Sequence, residues 1–134
     1  MTGEPARILE GRTVLVVDDE PSVRRSTARL LERAGAEVLE ASSAEDALAY
    51  GRDEGRAIDV LLSDIVMPEV SGIELASAAR EVWPDAGILL ISAFTPAALT
   101  RHKLTDETGG RILQKPLERS ELVAAVAAAA GASA

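Results

Sequence analysis

Three short runs of consecutive aliphatic residues alternate along the chain with longer stretches that have helical periodicity. The runs are Val14–Val17, Val60–Leu62 and Ile88–Ile91. A strand that covers one face of a sheet alternates apolar and polar residues, whereas a strand that is apolar throughout is buried on both faces. Such strands occur in parallel sheets with helices packed on either side. The runs therefore predict the centre of an α/β fold.

The other elements of this fold can be predicted along the chain. The expected strands are Thr13–Val17, Glu37–Glu40, Asp59–Ser63, Gly87–Ile91 and Arg111–Leu113. The expected helices are Pro21–Ala34, Ser43–Asp53, Ser71–Val82, Pro96–Leu104 and Glu118–Ala130. Because the second and fifth strands contain charged residues, we expect them at the edges of the sheet, with the three apolar strands in its middle.

Length and composition favour one domain. The chain has 134 residues, of which 47% are apolar and 27% charged, a mixture typical of a globular protein with a real core. We expect a single domain over residues 1–134, with its core at about residues 11–130. The N-terminus lacks the pattern of a signal peptide and no apolar run is long enough to span a bilayer, so we expect a cytoplasmic protein without membrane insertion.

Charge and residue usage exclude several classes of function. The net charge of −8 repels the phosphates of nucleic acids, and a single Trp, Tyr and Phe leave little for stacking on single-stranded bases. We therefore expect no direct nucleic-acid partner. The chain has no cysteine, which excludes disulfides, thiolate metal sites and a cysteine nucleophile.

Polar residues follow four of the predicted strands at the point where each strand ends. Asp18 and Asp19 follow the first strand, Asp64 the third, Ser92 the fourth and Lys115 the fifth. In an open α/β sheet the carboxyl ends of the strands meet at one edge, where ligands bind. We therefore expect these five side chains to form one site.

The chemistry of these residue types favours phosphoryl transfer. Carboxylates held a few ångströms apart repel one another and need a cation, and a site of oxygen ligands suits Mg2+ better than a transition metal. Lys115 offers a positive charge and Ser92 a hydroxyl donor for the oxygens of a phosphoryl group. Asp64 is then the natural nucleophile, which would form an aspartyl phosphate.

These residues stand in motifs that resemble the receiver family of two-component signalling. The motifs are Val14–Pro21 (VLVVDDEP), Leu62–Pro68 (LSDIVMP), Ser71–Gly72, Ser92–Ala93 and Lys115–Pro116, and the resemblance extends from about residue 11 to residue 130. It implies a flavodoxin-like (βα)5 three-layer sandwich with a parallel five-stranded sheet of order 2-1-3-4-5.

The resemblance also implies a role for each residue of the expected site. Asp64 matches the phosphoacceptor, and Asp18 and Asp19 match the acidic pair. Asp19 and Asp64 would contact the metal directly and Asp18 through water, while the backbone carbonyl of Val66 would complete the metal shell. The implied cofactor is Mg2+, with Mn2+ as the alternative ion.

Three further positions match those that bind the phosphoryl group or change conformation when a receiver is activated. Ser92 matches the switch hydroxyl and Lys115 the invariant lysine of the family. Ile112 stands at the switch position where many receivers have a Tyr or Phe that turns inward on activation, so a rotating aromatic switch is not expected.

The expected function is that of a phosphoacceptor in a two-component phosphorelay. The chain would take a phosphoryl group from a histidine kinase or a histidine phosphotransfer protein onto Asp64 and so switch its interactions with an output partner, which the sequence does not name. It would be a signalling module rather than an enzyme, although it catalyses its own phosphorylation and slow dephosphorylation. A homodimer is compatible with the resemblance. A stand-alone receiver and the receiver module of a hybrid histidine kinase both remain open.

Three other interpretations compete with this one. A degenerate receiver would act as a phosphorylation-independent binding scaffold, but the intact Asp18, Asp19, Asp64 and Lys115 argue against it. A phosphohydrolase with an aspartate nucleophile usually needs a second Asp two residues later, where this chain has Val66. A dinucleotide-binding domain needs a glycine-rich loop after the first strand, which is absent.

We predict that the phosphorylated domain hydrolyses slowly. Val66 and Phe94 stand two residues after the phosphoacceptor and the switch serine, so side chains that could orient an attacking water are missing from both positions. The decay of the radiolabelled domain in the presence of Mg2+ measures this rate. A lifetime of seconds would contradict the prediction.

Overall fold

The computed structural model describes residues 8–65, 72–92, 111–114 and 118–132. Its strands are β1 (Thr13–Val17), β2 (Glu37–Ala41), β3 (Val60–Asp64), β4 (Gly87–Ser92) and β5 (Arg111–Gln114). Its helices are α1 (Pro21–Arg33), α2 (Ala44–Arg52), α3 (Gly72–Val82) and α4 (Arg119–Ala132). The helix expected at Pro96–Leu104 lies outside the described residues. The other elements are confirmed, and β3 lies one residue later than predicted, so that Asp64 is its last residue.

All five strands are parallel and lie in the order β2-β1-β3-β4-β5. This is the predicted flavodoxin-like order, with the two charged strands at the edges. Within the sheet, Val17 of β1 is paired with Ser63 of β3, and Asp64 of β3 with Ile91 of β4. The carboxyl ends of β1, β3 and β4 therefore reach the same edge of the sheet in register.

Two hydrophobic clusters lie on opposite faces of the sheet. Leu15 and Val17 of β1 belong to the cluster beneath α2 and α3, whereas Val14 and Val16 belong to the cluster beneath α1 and α4. Each of these four side chains is at most 3% exposed. Successive residues of a strand point to opposite faces, so a strand covered on both sides needs an apolar residue at every position. This explains the continuous aliphatic runs in the sequence.

A capping serine begins α2, and a glycine follows the end of α1. The Ser43 side chain accepts a hydrogen bond from the Asp46 amide at 3.1 Å, which satisfies one free donor at the start of α2. Gly35 follows α1 with a positive φ of 105°, and a Cβ atom there would lie 2.8 Å from the Glu10 nitrogen. Both the left-handed backbone and the close approach explain why a glycine ends this helix.

Trp83 lies at the edge of the sheet opposite the expected site. It follows the last residue of α3, is 6% exposed, and its indole nitrogen donates a hydrogen bond to the Arg56 carbonyl at 2.7 Å. Arg56 precedes β3 and Trp83 precedes β4, so the indole lies near the amino ends of these strands. Trp83 therefore packs at the end of α3.

Among the described residues, no helix has the length and hydropathy needed to cross a membrane.

Replacement of Gly87 by alanine should destabilise the protein. A Cβ atom on Gly87, the first residue of β4, would lie 2.5 Å from the carbonyl oxygen of Ala129 on α4, so the helix would have to move away from the sheet. We expect a loss of about 1–3 kcal/mol of unfolding free energy in urea titrations. Asp85→Ala, at an exposed position two residues earlier, is the control and should change stability by less than about 0.5 kcal/mol. Equal stabilities for the two variants would show that α4 can move away from β4 at little cost in free energy.

Candidate functional site

An acidic turn, Asp18–Glu20, connects β1 to α1. The Asp18 amide donates to the Ala41 carbonyl of β2 at 3.2 Å, which extends the strand pairing by one residue. The Asp18 residue is 8% exposed, and its Oδ1 atom accepts a hydrogen bond from the Glu20 amide at 2.9 Å. Asp19 and Glu20 are exposed. The turn thus combines a fixed, buried carboxylate with an accessible one.

Asp64 ends the neighbouring strand, β3. The Ile65 amide donates to the Ile91 carbonyl at 3.0 Å, so the backbone after Asp64 remains bonded to β4. The hydroxyl of Ser63, which is 1% exposed, donates to the Asp64 carbonyl at 2.9 Å. Asp64 itself is half-buried. Its backbone is therefore held in place, while the residue as a whole keeps part of its surface exposed.

Asp18 and Asp64 are neighbours because each follows one residue of the Val17–Ser63 pair. Adjacent strands lie about 5 Å apart, which sets the spacing of the two backbones at this point. Both residues line a cavity of about 340 Å³, together with Ser63 and with apolar residues of α1 and α4 such as Val23 and Leu122. The structure thus brings two of the predicted aspartates together, with Asp19 next to them in sequence.

Arg24, in the first turns of α1, contacts the acidic turn directly. Its Nη1 atom donates to the Asp18 carbonyl at 2.9 Å, and its Nε atom donates to Glu40 Oε1 at 3.1 Å. Glu40 also lies 3.7 Å from a guanidinium nitrogen of Arg25. Arg24 was not among the residues predicted from the sequence. The available signal was a basic residue six positions after Asp18, at the start of the helix that follows the acidic turn.

The remaining predicted residues are described in part or not at all. Val66 and Lys115 lie outside the described residues. Ser92 is the last residue of β4 and is paired with Gln114, which precedes Lys115 in the chain. Ile112 lies on β5 and is paired with Leu90. The backbone therefore brings the ends of β4 and β5 to the edge where Asp18 and Asp64 lie.

The oxygen-only donors at this edge fit an open magnesium site. Mg2+ keeps several waters and binds proteins through one or two carboxylates, and it does not require a closed cage of side chains. Asp18 and Asp64 supply carboxylates from adjacent strands, and the Asp18 carboxylate is already withdrawn from bulk water. Within the described ranges, no group of three or more acidic, His or Cys side chains is close enough to form a metal cluster. The two carboxylates match the number that such an ion takes from a protein while it keeps several waters.

Comparison with known proteins shows one family. The sequence profile of the response regulator receiver domain matches residues 14–127. The sensor kinase CckA of Brucella abortus is 36% identical over 124 residues, which are 92% of this chain but 13% of the kinase. The response regulator receiver protein CpdR of Brucella abortus is 36% identical over 112 residues, which are 84% of this chain and 91% of CpdR.

Solved structures show the same similarity. A response regulator receiver domain protein from Clostridium thermocellum superposes with a TM-score of 0.79 at 28% identity, covering 90% of this chain and 94% of that one. The receiver domain of the hybrid histidine kinase CckA superposes with a TM-score of 0.69 at 36% identity, covering 84% and 93% of the two chains. The chain is thus similar both to independent receivers and to a receiver within a kinase.

Replacement of Asp18 should separate the structural role of its carboxyl group from its charge. Asp18→Ala removes the acceptor of the Glu20 amide, whereas Asp18→Asn retains an oxygen in the same place. We expect Asp18→Ala to be less stable than Asp18→Asn by about 1 kcal/mol in metal-free urea titrations, the usual contribution of one hydrogen bond. If the two variants unfold at the same urea concentration, this hydrogen bond does not stabilise the turn.

Proposed function

The chain belongs to the response regulator receiver domain family, and from this premise we propose that Asp64 is its phosphoryl acceptor and that Asp18 and Asp19 bind Mg2+ beside it. As a receiver domain of two-component systems, it is a signalling module. We further propose that a single receiver domain extends over residues 1–134, with its core at about residues 11–130; the matched residues, 14–127, support this extent.

The observation that carries the proposal is the placement of Asp18 and Asp64 at the ends of adjacent parallel strands. The Val17–Ser63 pair fixes this placement, and Asp18 is only 8% exposed, so this residue is largely withdrawn from bulk water. Electrostatic interactions are stronger at such a position than in bulk water. A degenerate receiver that acts as a scaffold needs none of this arrangement, and all three aspartates are present.

In the proposed reaction, a carboxylate oxygen of Asp64 attacks the phosphorus of a phosphohistidine. The P–O bond to Asp64 forms as the P–N bond breaks, and the electron pair of the P–N bond returns to the imidazole nitrogen, which takes up a proton from solvent. Asp18 and Asp19 would hold Mg2+ beside Asp64, and the ion would supply positive charge to offset the negative charge of the phosphoryl oxygens. Asp18 keeps the turn in place through its bond with the Glu20 amide, which leaves the exposed Asp19 available as a ligand.

The proposed site includes three more residues, whose side chains lie outside the described part of the structure. Val66 would add its backbone carbonyl to the metal shell, Ser92 would donate its hydroxyl to a phosphoryl oxygen, and Lys115 would neutralise another. The sequence motifs and the family support these assignments. Ile112, at the position of the usual aromatic, supports a switch that does not depend on the rotation of an aromatic ring.

The family indicates what kind of protein would donate the phosphoryl group and that an output partner would receive the signal. We propose a histidine kinase or a histidine phosphotransfer protein as the donor, and an output partner whose identity depends on the protein in which the domain works. The chain spans 13% of the sensor kinase and 91% of CpdR, so both an independent receiver and a kinase module are compatible with it. Because such kinases take their phosphoryl group from ATP, we place the domain in the cytoplasm.

Incubation with acetyl phosphate and Mg2+ tests the proposal. We expect the intact mass of the wild type to rise by one phosphoryl group, and we expect that of Asp64→Asn to stay unchanged because the amide is not a nucleophile. Omission of Mg2+ should abolish the gain. Mass is the suitable measurement because Trp83 lies at the opposite edge of the sheet, where its fluorescence is a poor reporter of the site.

Asp53→Asn is the matched control. This aspartate is exposed at the end of α2, so its replacement removes the same charge without touching the site. It should be phosphorylated like the wild type. The assignment of Asp64 fails if the wild type gains no mass, or if Asp64→Asn gains as much as Asp53→Asn does.

A further inference from the structure

Asp18 is tied to the edge strand β2 through both of its backbone polar groups. Its amide donates directly to the Ala41 carbonyl at 3.2 Å. Its carbonyl accepts from Arg24 Nη1 at 2.9 Å, and the same guanidinium donates from Nε to Glu40 Oε1 at 3.1 Å. Glu40 and Ala41 are consecutive residues of β2. Arg24 therefore completes a bridge from the acidic turn to the strand beside it.

We propose that Arg24 is a positioning residue, whose bridge between the Asp18 carbonyl and Glu40 orients the acidic turn and thereby sets its affinity for Mg2+. The proposal rests on the function proposed above, because it assumes that Asp18 and Asp19 bind the ion. The Asp18 carbonyl belongs to the peptide group that joins these two residues. Its orientation therefore determines the direction from which the exposed Asp19 reaches the site.

Only a guanidinium fits both ends of this bridge. Its donors are arranged in a planar, rigid fork, so Nε and Nη1 reach two acceptors at once, whereas a lysine ammonium is a point charge on a flexible stem. Arg24 is 19% exposed and Glu40 24% exposed, so water screens this pair less than it screens a surface ion pair. The Tyr50 hydroxyl also donates to the Glu40 carbonyl at 2.9 Å, which ties β2 to α2 at the far end of the bridge.

The alternative role for Arg24 is electrostatic, and it has the opposite sign. A positive charge close to a cation site repels the cation, so removal of that charge alone would strengthen Mg2+ binding. Loss of a positioning contact would weaken binding instead. The direction of the change in affinity therefore separates the two roles.

The experiment compares Arg24→Gln and Arg24→Lys with Arg25→Gln. Arg25 is the matched control because it lies on the same helix and pairs with the same Glu40, at 3.7 Å, but its side chain is 63% exposed. Arg25 forms an ion pair with Glu40, whereas the Asp18 carbonyl accepts its hydrogen bond from Arg24. Mg2+ binding is measured by isothermal titration calorimetry. We expect Kd to rise about 10-fold in both Arg24 variants, the lower end of the range for residues that orient metal ligands, and less than about 2-fold in Arg25→Gln.

A second readout needs no metal. The Glu20 amide, which donates to Asp18 Oδ1, reports the order of the turn through its hydrogen exchange rate in NMR spectra. Exchange should be faster in both Arg24 variants than in the wild type and in Arg25→Gln, after correction for any difference in global stability. A purely electrostatic role would leave this rate unchanged.

The outcomes separate this inference from the function on which it rests. A wild type that binds no Mg2+ overturns the proposed function. A wild type that binds Mg2+, with both Arg24 variants equal to it or tighter, overturns the positioning role alone. Arg24→Lys keeps the charge and the aliphatic stem, so it decides the question if Arg24→Gln proves too unstable to fold.

Discussion

The candidate site depends on one constraint, the register between the central strands β1 and β3. Hydrophobic patterning alone specifies this register weakly, because both strands are apolar on both faces and a slip by one residue would still bury apolar side chains. Asp59 supplies the missing specificity at the amino end. Its amide donates to the Thr13 carbonyl at 2.8 Å, while its Oδ2 atom accepts from the Thr13 amide, also at 2.8 Å. This pair sets the register of β1 and β3, so Asp18 and Asp64 lie next to each other at the opposite edge of the sheet.

The arrangement at that edge is costly for the fold and therefore informative about function. A buried carboxylate near a second carboxylate is unfavourable unless hydrogen bonds or a cation offset the charge. The Glu20 amide offsets part of this cost for Asp18, and carboxylate oxygens are ligands that a hard cation prefers. Local rules of stability are broken most often at functional sites, where the unfavourable groups are the ones that perform the chemistry. The Asp18–Asp64 pair is an unfavourable arrangement of this kind, which supports the function proposed for it.

Much of the fold was predictable from the sequence because its signals are local. The aliphatic runs identified β1, β3 and β4, and the charged residues of the other two strands identified the edges of the sheet. The placement of Asp18, Asp19 and Asp64 at strand ends was also predictable, because it depends on residue type at the end of an apolar run. The Arg24 bridge was not, because one of its two acceptors is a backbone carbonyl, and every residue has one. The approach of Gly87 to α4 was equally hidden, since it depends on the distance between a helix and a strand that are far apart in sequence.

Side-chain contacts of the edge strand β2 help to position the candidate site at the centre of the sheet. An edge strand is bonded to the sheet on one side only, so its position depends more on side-chain contacts than that of a central strand. Here the Tyr50 hydroxyl holds the Glu40 carbonyl, and Arg24 holds the Glu40 carboxylate from α1. The helix α1 is itself fixed by Ala28 and Leu31, which are buried against the sheet. The position of the Asp18 backbone thus depends on the packing of α1 as well as on β1, because the Arg24 guanidinium joins the helix to the Asp18 carbonyl.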